Sequence, residues 1–313
     1  MPLTREPHTR LQAPAKVPTP TDPQVKVARA TQRSSVPAYP TIKLVQRSAH
    51  EPRLTPISAV ILTRNEADRL ERCVRSLHFC DEILVIDAES TDGTAELAQR
   101  LGARVIQRPW PGFRSQREFA IAQARHDWIL SIDADESVSP ALFRSLLRQR
   151  LRGFGAHAGF EYPRALEYHG RYLRYGNVYP DRAGRLFDRR RARYGGYQVH
   201  ERLEIDGPIG RLDGDLEHHS YRSFDDHLAR MQTYARLWAE EAHAAGKRAR
   251  LANVFFNPLW RFVRGYLLRS GFRDGWRGLV FHCVEAGYVR QKYLRLYLLS
   301  QAKSPALSVI PTR

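Results

Sequence analysis

Cysteine is scarce in this chain of 313 residues: Cys73, Cys80 and Cys283 are its three. They build no disulfide framework, and without a C-x-x-C pair or a His/Cys cluster they build no structural zinc site either. A reducing compartment is the simplest setting for such thiols. Long apolar runs are missing too: no stretch reaches the roughly 18 uncharged apolar residues that mark a membrane-spanning helix. The opening residues, Met1 to Pro20, contain no apolar h-region, so they do not read as a secretory signal. Nor does a glycine-rich phosphate loop follow the first apolar run, which disfavours dinucleotide-type and P-loop sites.

Basic residues, in contrast, are in excess, and their placement is uneven. The formal net charge is +17, of which residues 1–56 contribute +6 and residues 252–313 contribute +8. The middle, 57–251, carries 31 basic and 28 acidic residues, so its balance is only +3. That distribution excludes a protein that coats nucleic acid along its whole length. It fits an ordinary globule whose ends seek a polyanion or an anionic membrane. Residues 1–56 hold 10 of the 19 prolines and no periodicity, and are expected to be a disordered basic arm.

From Ile57 onward apolar strands and helical patterns alternate. Strands are read at Ile57–Leu62, Glu82–Asp87, Ala103–Ile106 and Trp128–Ile132, with helices near 66–77, 94–101 and 115–125. Such alternation predicts a parallel sheet covered on both faces. Beyond about residue 150 the pattern loosens into Gly- and Tyr-rich strands, and a long helix follows from Phe224 to Ala245. No internal repeat is present.

Three strands end in polar clusters: Thr63-Arg64-Asn65-Glu66, Asp87 with Ser90 and Asp92, and Asp133-Ala134-Asp135. In open parallel sheets the ligand lies at such ends. Two carboxylates one residue apart can aim at one hard cation, which in turn bridges phosphate oxygens. A capped helix start is the competing reading, and Thr63, Ser90 and Asp92 are good capping types.

In combination these runs resemble family 2 glycosyltransferases. Downstream, Tyr179-Pro180-Asp181, Val199-His200-Glu201 and His218-His219-Ser220 are similar to a bacterial branch of lipopolysaccharide core glucosyltransferases. The resemblance implies an α/β GT-A fold: a mostly parallel sheet with helices on both faces, plus a helical basic C-terminal extension. It divides the chain into a nucleotide-sugar half (57–150), an acceptor half (151–250) and a tail (251–313). It implies that Thr63, Asn65 and Glu66 line the nucleoside pocket, with Asp87 at the uracil ring and Ser90 and Asp92 beside it. Arg117 is either a donor contact or a solvated helix charge. Asp133 and Asp135 would bind Mg2+ or Mn2+ against the donor diphosphate, with His218 able to complete the shell. Glu201 is the candidate general base and Asp181 the runner-up, while Arg182, Arg185 and His200 would face the acceptor or diphosphate. Tyr162, Tyr168, Tyr172 and Tyr175 either stack on sugars or pack between strands.

The tail interleaves Phe255, Phe256, Trp260, Phe262, Phe272 and Trp276 with Arg261, Arg264, Arg269, Arg273 and Arg277. Aromatic surface with arginine alongside suits a helix lying in an anionic bilayer interface. No nucleic-acid reading motif occurs. The expected activity is inverting transfer of a UDP-linked hexose, glucose first, to a lipid-linked saccharide on the cytoplasmic face of the membrane. A polyprenyl-phosphate or other envelope-glycan acceptor is the alternative. From another class, a non-catalytic membrane- or polyanion-binding protein on a degenerate scaffold is opposed by the intact carboxylates.

Overall fold

Seven elements alternate as the apolar pattern dictates. They are β1 (Ile57–Thr63), α1 (Ala67–Ser76), β2 (Glu82–Asp87), α2 (Thr94–Arg100), β3 (Arg104–Gln107), α3 (Phe113–Gln123) and β4 (Trp128–Asp133). The computed structural model describes residues 54–197 and 200–301, and of 196, 197 and 200–202 the backbone only. The expected N-terminal arm, except 54–56, and residues 302–313 lie outside the described residues, all of which fall within one compact unit. On β1, Ile57, Ala59 and Ile61 face one cluster with Leu70, Leu77 and Leu142, while Val60 faces another with Leu84, Ala120 and Phe187. Burial on both faces explains the unbroken apolar run, and each such Ile or Leu contributes roughly 1.5–3 kcal/mol.

Boundaries shift by one or two residues from expectation, and two of the shifts have a local cause. The third strand begins at Arg104, because Ala103 N is tied to Ala98 O across the Gly102 turn. The third helix runs two residues earlier than 115–125, entered from Gly112 at φ 111° and ended by extended Ala124.

The second half adds β5 (Glu136–Val138), α4 (Pro140–Leu151), β6 (Gly159–Tyr168), β7 (Arg171–Tyr172) and β8 (Asp181–Asp188). There follow β9 (Ala192–Tyr197), β10 (His200–Ile205), β11 (Ile209–Arg211), β12 (Leu216–His218) and α5 (Phe224–Ala244). The main sheet runs β3-β2-β1-β4-β8-β6-β12-β5, with β7 and β11 on β6, and β9–β10 form a separate hairpin. Its first four strands are parallel, whereas β8 pairs antiparallel with both β4 and β6. The sheet is therefore mixed, parallel in the half where crossover helices cover it. Tyr162 and Tyr168 are core residues of this half, not sugar platforms.

The C-terminal region comprises α6 (Leu251–Phe262), a π-helical turn (Val263–Leu268), a short 3-10 turn (Gly271–Asp274) and α7 (Gly275–Gln301). Helices α5 and α6 both pack on α7. His227 of α5 anchors the group: its ring stacks on Tyr221 (4.0 Å) and Phe281 (5.6 Å), and its Nδ1 meets Tyr168 Oη at 3.1 Å. The tail is thus part of the folded body rather than a detached amphipathic helix. One face of α6 nevertheless stays exposed at Phe255, Phe256, Leu259 and Trp260. Among the described residues no helix is long and apolar enough to cross a membrane.

A single glycine holds the approach to β12. Gly214 has φ +95°, and a Cβ there would overlap Leu142 N and Cα at the start of α4. The next residue exchanges backbone-level bonds with Ser139, Asp215 N to Ser139 Oγ and Ser139 N to Asp215 O, each 3.2 Å. Gly214→Ala is expected to destabilise the fold by about 2–3 kcal/mol through left-handed strain and overpacking against backbone. Urea unfolding checks this, and a loss under about 0.5 kcal/mol would refute it.

Candidate active site

Strand order 3-2-1-4 reverses at β1, and in open α/β sheets ligands occupy the crevice at the carboxyl ends beside such a switch point. Pairing brings the polar ends level. Thr63 pairs with Asp87 across β1–β2, and Leu62 pairs with Asp133 across β1–β4.

Asp87 is fully buried and organises the loop behind it. Its Oδ1 accepts from Thr63 Oγ1 (3.0 Å) and Ser90 Oγ (2.5 Å), and its Oδ2 accepts from Ser90 N (2.9 Å). Asn65, at φ 56°, takes Thr91 N on its Oδ1 (2.8 Å) and gives its own N–H to Ser90 Oγ (2.9 Å). Asp92 accepts from Ala67 N (3.1 Å) and Thr94 N (3.1 Å), so one carboxylate serves the starts of α1 and α2. Ser90 and Asp92, expected at the donor, therefore also have contacts within the protein.

At the end of β4 the expectation changes more. Asp133 Oδ1 meets Arg117 Nη2 and Oδ2 meets Arg185 Nη2, both at 3.0 Å. Burial opposes its charge, but Arg185 and then Arg117 outweigh it and hold the carboxyl well below the usual range. Both oxygens are paired with guanidiniums, which compete with a metal ion for this carboxylate. Arg117 is not a solvated helix charge: it also donates to Ser131 Oγ (3.1 Å). Arg185, expected at the diphosphate, is only 17 % exposed and reaches Glu136 Oε1 at 3.7 Å. Arg164 completes the network, 3.3 Å from Glu136 Oε1 and doubly bonded to Asp181 Oδ2 through Nε (2.9 Å) and Nη2 (2.5 Å). The second candidate base is thus already matched to a guanidinium, whereas Arg182 is exposed.

Asp135 has different neighbours. His218 Nε2, delivered by β12, lies 3.4 Å from its Oδ2, and Arg69 Nη1 lies at 3.6 Å. Burial raises its pKa, but the hydrogen bond and charge of His218, with Arg69, bring it below the ordinary value. His219 N bonds Asp135 O (2.8 Å), while burial lowers the His219 ring to about 4 and leaves its Nε2 without a partner among the described residues. Among the described residues no group of three or more His, Cys, Asp or Glu could hold a metal ion. One carboxylate and one imidazole still suit a hard cation whose remaining ligands are substrate phosphates and water.

Pairing within β9–β10 sets Glu201 opposite Gly196 and His200 opposite Tyr197; the side chains of both lie outside the described residues. The glycosyl transferase family 2 model matches residues 58–200. Over 252 residues the chain is 32 % identical to the lipopolysaccharide core biosynthesis glycosyltransferase LpsC of Rhizobium meliloti (strain 1021), covering 76 % of this chain and 93 % of the relative. The chain belongs to glycosyl transferase family 2.

An uncharacterized glycosyltransferase of Rickettsia bellii (strain RML369-C) is 28 % identical over 270 residues, covering 78 % of this chain and 86 % of its own length. Among solved structures, the mannosyltransferase PcManGT from Pyrobaculum calidifontis in complex with GDP-Man and Mn2+ aligns at TM-score 0.44 and 15 % identity, covering 79 % and 88 % of the two chains. In this family 2 glycosyltransferase several site residues escaped sequence reading. Arg69 bonds Glu66 and the carbonyls of His219 (3.0 Å) and Ser220 (3.1 Å), tying α1 to the segment after β12. Arg222 adds a bridge to Asp68 (2.8 Å) and Glu66 (3.2 Å). The Glu66–Arg69 spacing on a helix start was a usable signal. The partners 150 residues away were not.

Proposed function

We propose that this enzyme transfers a hexose, glucose from UDP-glucose in the first instance, with inversion to a lipid-linked saccharide of the lipopolysaccharide-core kind. The Asp135–His218 pair at the β1–β4 switch point carries the reading. Likeness to LpsC supports the acceptor class. Asp135 and His218 would hold Mg2+ or Mn2+, which when bound neutralises the leaving diphosphate. Asp87, fully buried, acts from behind the donor pocket by fixing the loop of Thr63, Asn65 and Ser90 on which the nucleoside would rest. Glu66 borders the same crevice; burial raises its pKa against the pull of Arg69 and Arg222. Glu201 takes the proton of the acceptor hydroxyl as it attacks the anomeric carbon. Asp181 is the weaker candidate because Arg164 holds it. The exposed Phe255, Phe256, Leu259 and Trp260 of α6, with exposed Arg264 following, support docking on an anionic membrane at its cytoplasmic face.

The decisive measurement is the melting temperature with UDP-, GDP- and dTDP-sugars, each with and without Mn2+. At a ligand concentration 100-fold above Kd, binding adds about 2.7 kcal/mol, a rise of roughly 5–10 °C for a domain this size. One nucleotide class is expected to give that rise only with metal. No rise with any of them would sink the donor assignment.

A further inference from the structure

A cleft of about 440 Å³ opens between β7 and the turn that leads into α7. Arg171, Arg174, Arg273 and Arg277 line it, against one carboxylate, Asp274. That carboxylate is committed to backbone: it accepts from Arg174 N (3.0 and 3.2 Å) and Tyr175 N (3.0 Å). Arg174 is also matched, its Nη1 2.6 Å from Asp215 Oδ2 and its guanidinium 4.8 Å from the Tyr179 ring centre. The other three arginines differ. Arg273 stacks on Tyr175 (4.4 Å), and Arg277 stacks on Trp276 (4.6 Å) while giving only its Nε to His169 O (2.8 Å). Arg171 is exposed. Among the described residues none of these three pairs with a carboxylate. Arg273 and Arg277 each lie over an aromatic ring with no carboxylate partner among the described residues, and a guanidinium so placed suits bidentate recognition of a phosphate.

Two neighbours say what carries that phosphate. Trp276, lining the cleft, and Phe272, in the turn beside it, are exposed apolar side chains, 55 % and 50 %. On the other side Tyr172 lines the cleft and faces the His219 ring at 6.1 Å, one residue beyond the His218 that meets Asp135. The cleft therefore lies between an exposed apolar surface and the Asp135 edge of the active site. We propose that it binds a phosphate group of the lipid-borne saccharide acceptor, with the lipid toward Trp276 and the reacting sugar toward Asp135. The identity of the carrier rests on the acceptor reading above; phosphate binding itself does not.

The test uses the full chain and its R171Q/R273Q variant, both side chains being exposed and outside the proposed catalytic set. Inorganic phosphate is titrated calorimetrically, and capture is measured on vesicles of phosphatidylcholine alone or mixed with phosphatidylglycerol. The variant is expected to bind phosphate at least about tenfold more weakly, with R171K/R273K recovering most of the affinity and the metal-dependent melting rise with donor unchanged. Equal phosphate affinity in wild type and R171Q/R273Q overturns the proposal. Loss of phosphate affinity with anionic-vesicle capture intact supports an acceptor phosphate. Parallel loss of both assigns the cleft to a bilayer headgroup and overturns the acceptor assignment. A third variant, F255S/W260S, is expected to lose vesicle capture and keep phosphate affinity. If the wild type captures no vesicles, the membrane reading fails while the phosphate titration still decides the cleft.

Discussion

Asp135→Asn is expected to lower sugar transfer by roughly a thousandfold or more while leaving the fold intact, as loss of several kcal/mol of charge stabilisation implies. The amide keeps the shape and can still meet His218, now 3.4 Å from Oδ2, so packing around β4 and β12 survives. What disappears is the negative charge that His218 and Arg69 keep present against burial. Initial rates with the donor found by melting, together with the metal-dependent rise itself, measure both. The rise should vanish along with turnover, and activity within tenfold of wild type would remove Asp135 from the metal. Glu201→Gln is the contrast. It should keep the donor-induced rise and lose about 10²–10⁴ in turnover, the usual range for a general base. Normal turnover in that variant moves the base elsewhere, with Asp181 next in line.

The parallel half of the fold was legible because β1, β2 and β4 are buried on both faces, so their apolar runs are unbroken and their polar ends abrupt. The same pattern puts the Asp-x-Asp directly behind β4, as the fold has it. Asp133 looks identical in sequence, and only the fold brings in Arg117 from 16 residues upstream and Arg185 from 52 downstream. Glu136 was passed over as a neighbour of the motif, though it is almost wholly buried and accepts from Asp133 N (3.0 Å). The second half left weaker traces, since β5, β7, β11 and β12 are two or three residues long and β6 carries an irregularity at Phe160/Glu161. Strands that short have no periodicity to read. The basic cleft was invisible for a further reason: Arg171 and Arg273 are a hundred residues apart and join only when the turn before α7 meets β7. Of the ten basic residues in 252–313, Arg273 and Arg277 line that cleft.

Arg185→Met is expected to cost about 3–5 kcal/mol of folding stability, the usual penalty for removing one partner of a buried ion pair. Methionine fills much of the stem's volume, so the loss is electrostatic. Asp133 Oδ2 and Glu136 Oε1 lose the guanidinium that stands 3.0 and 3.7 Å from them. Arg117 and Arg164 remain on the other contacts, which points to the lower end of the range. Exposed Arg182→Met, three residues away on the same strand, should stay within about 0.5 kcal/mol. The pH dependence separates charge from packing. A carboxyl whose folded pKa is depressed, as that of Asp133 is by Arg185 and Arg117 against burial, contributes stability above its unfolded value near 3.9 and loses it as pH falls toward the folded value. Without Arg185 that contribution shrinks, so the gap between wild type and variant should be widest near pH 7 and narrow below about pH 4. Urea midpoints across that range measure it. A gap that stays constant from pH 7 to well below 4 would mean that Arg185 acts by filling space, and the ionic account of the β4 end would fall with it.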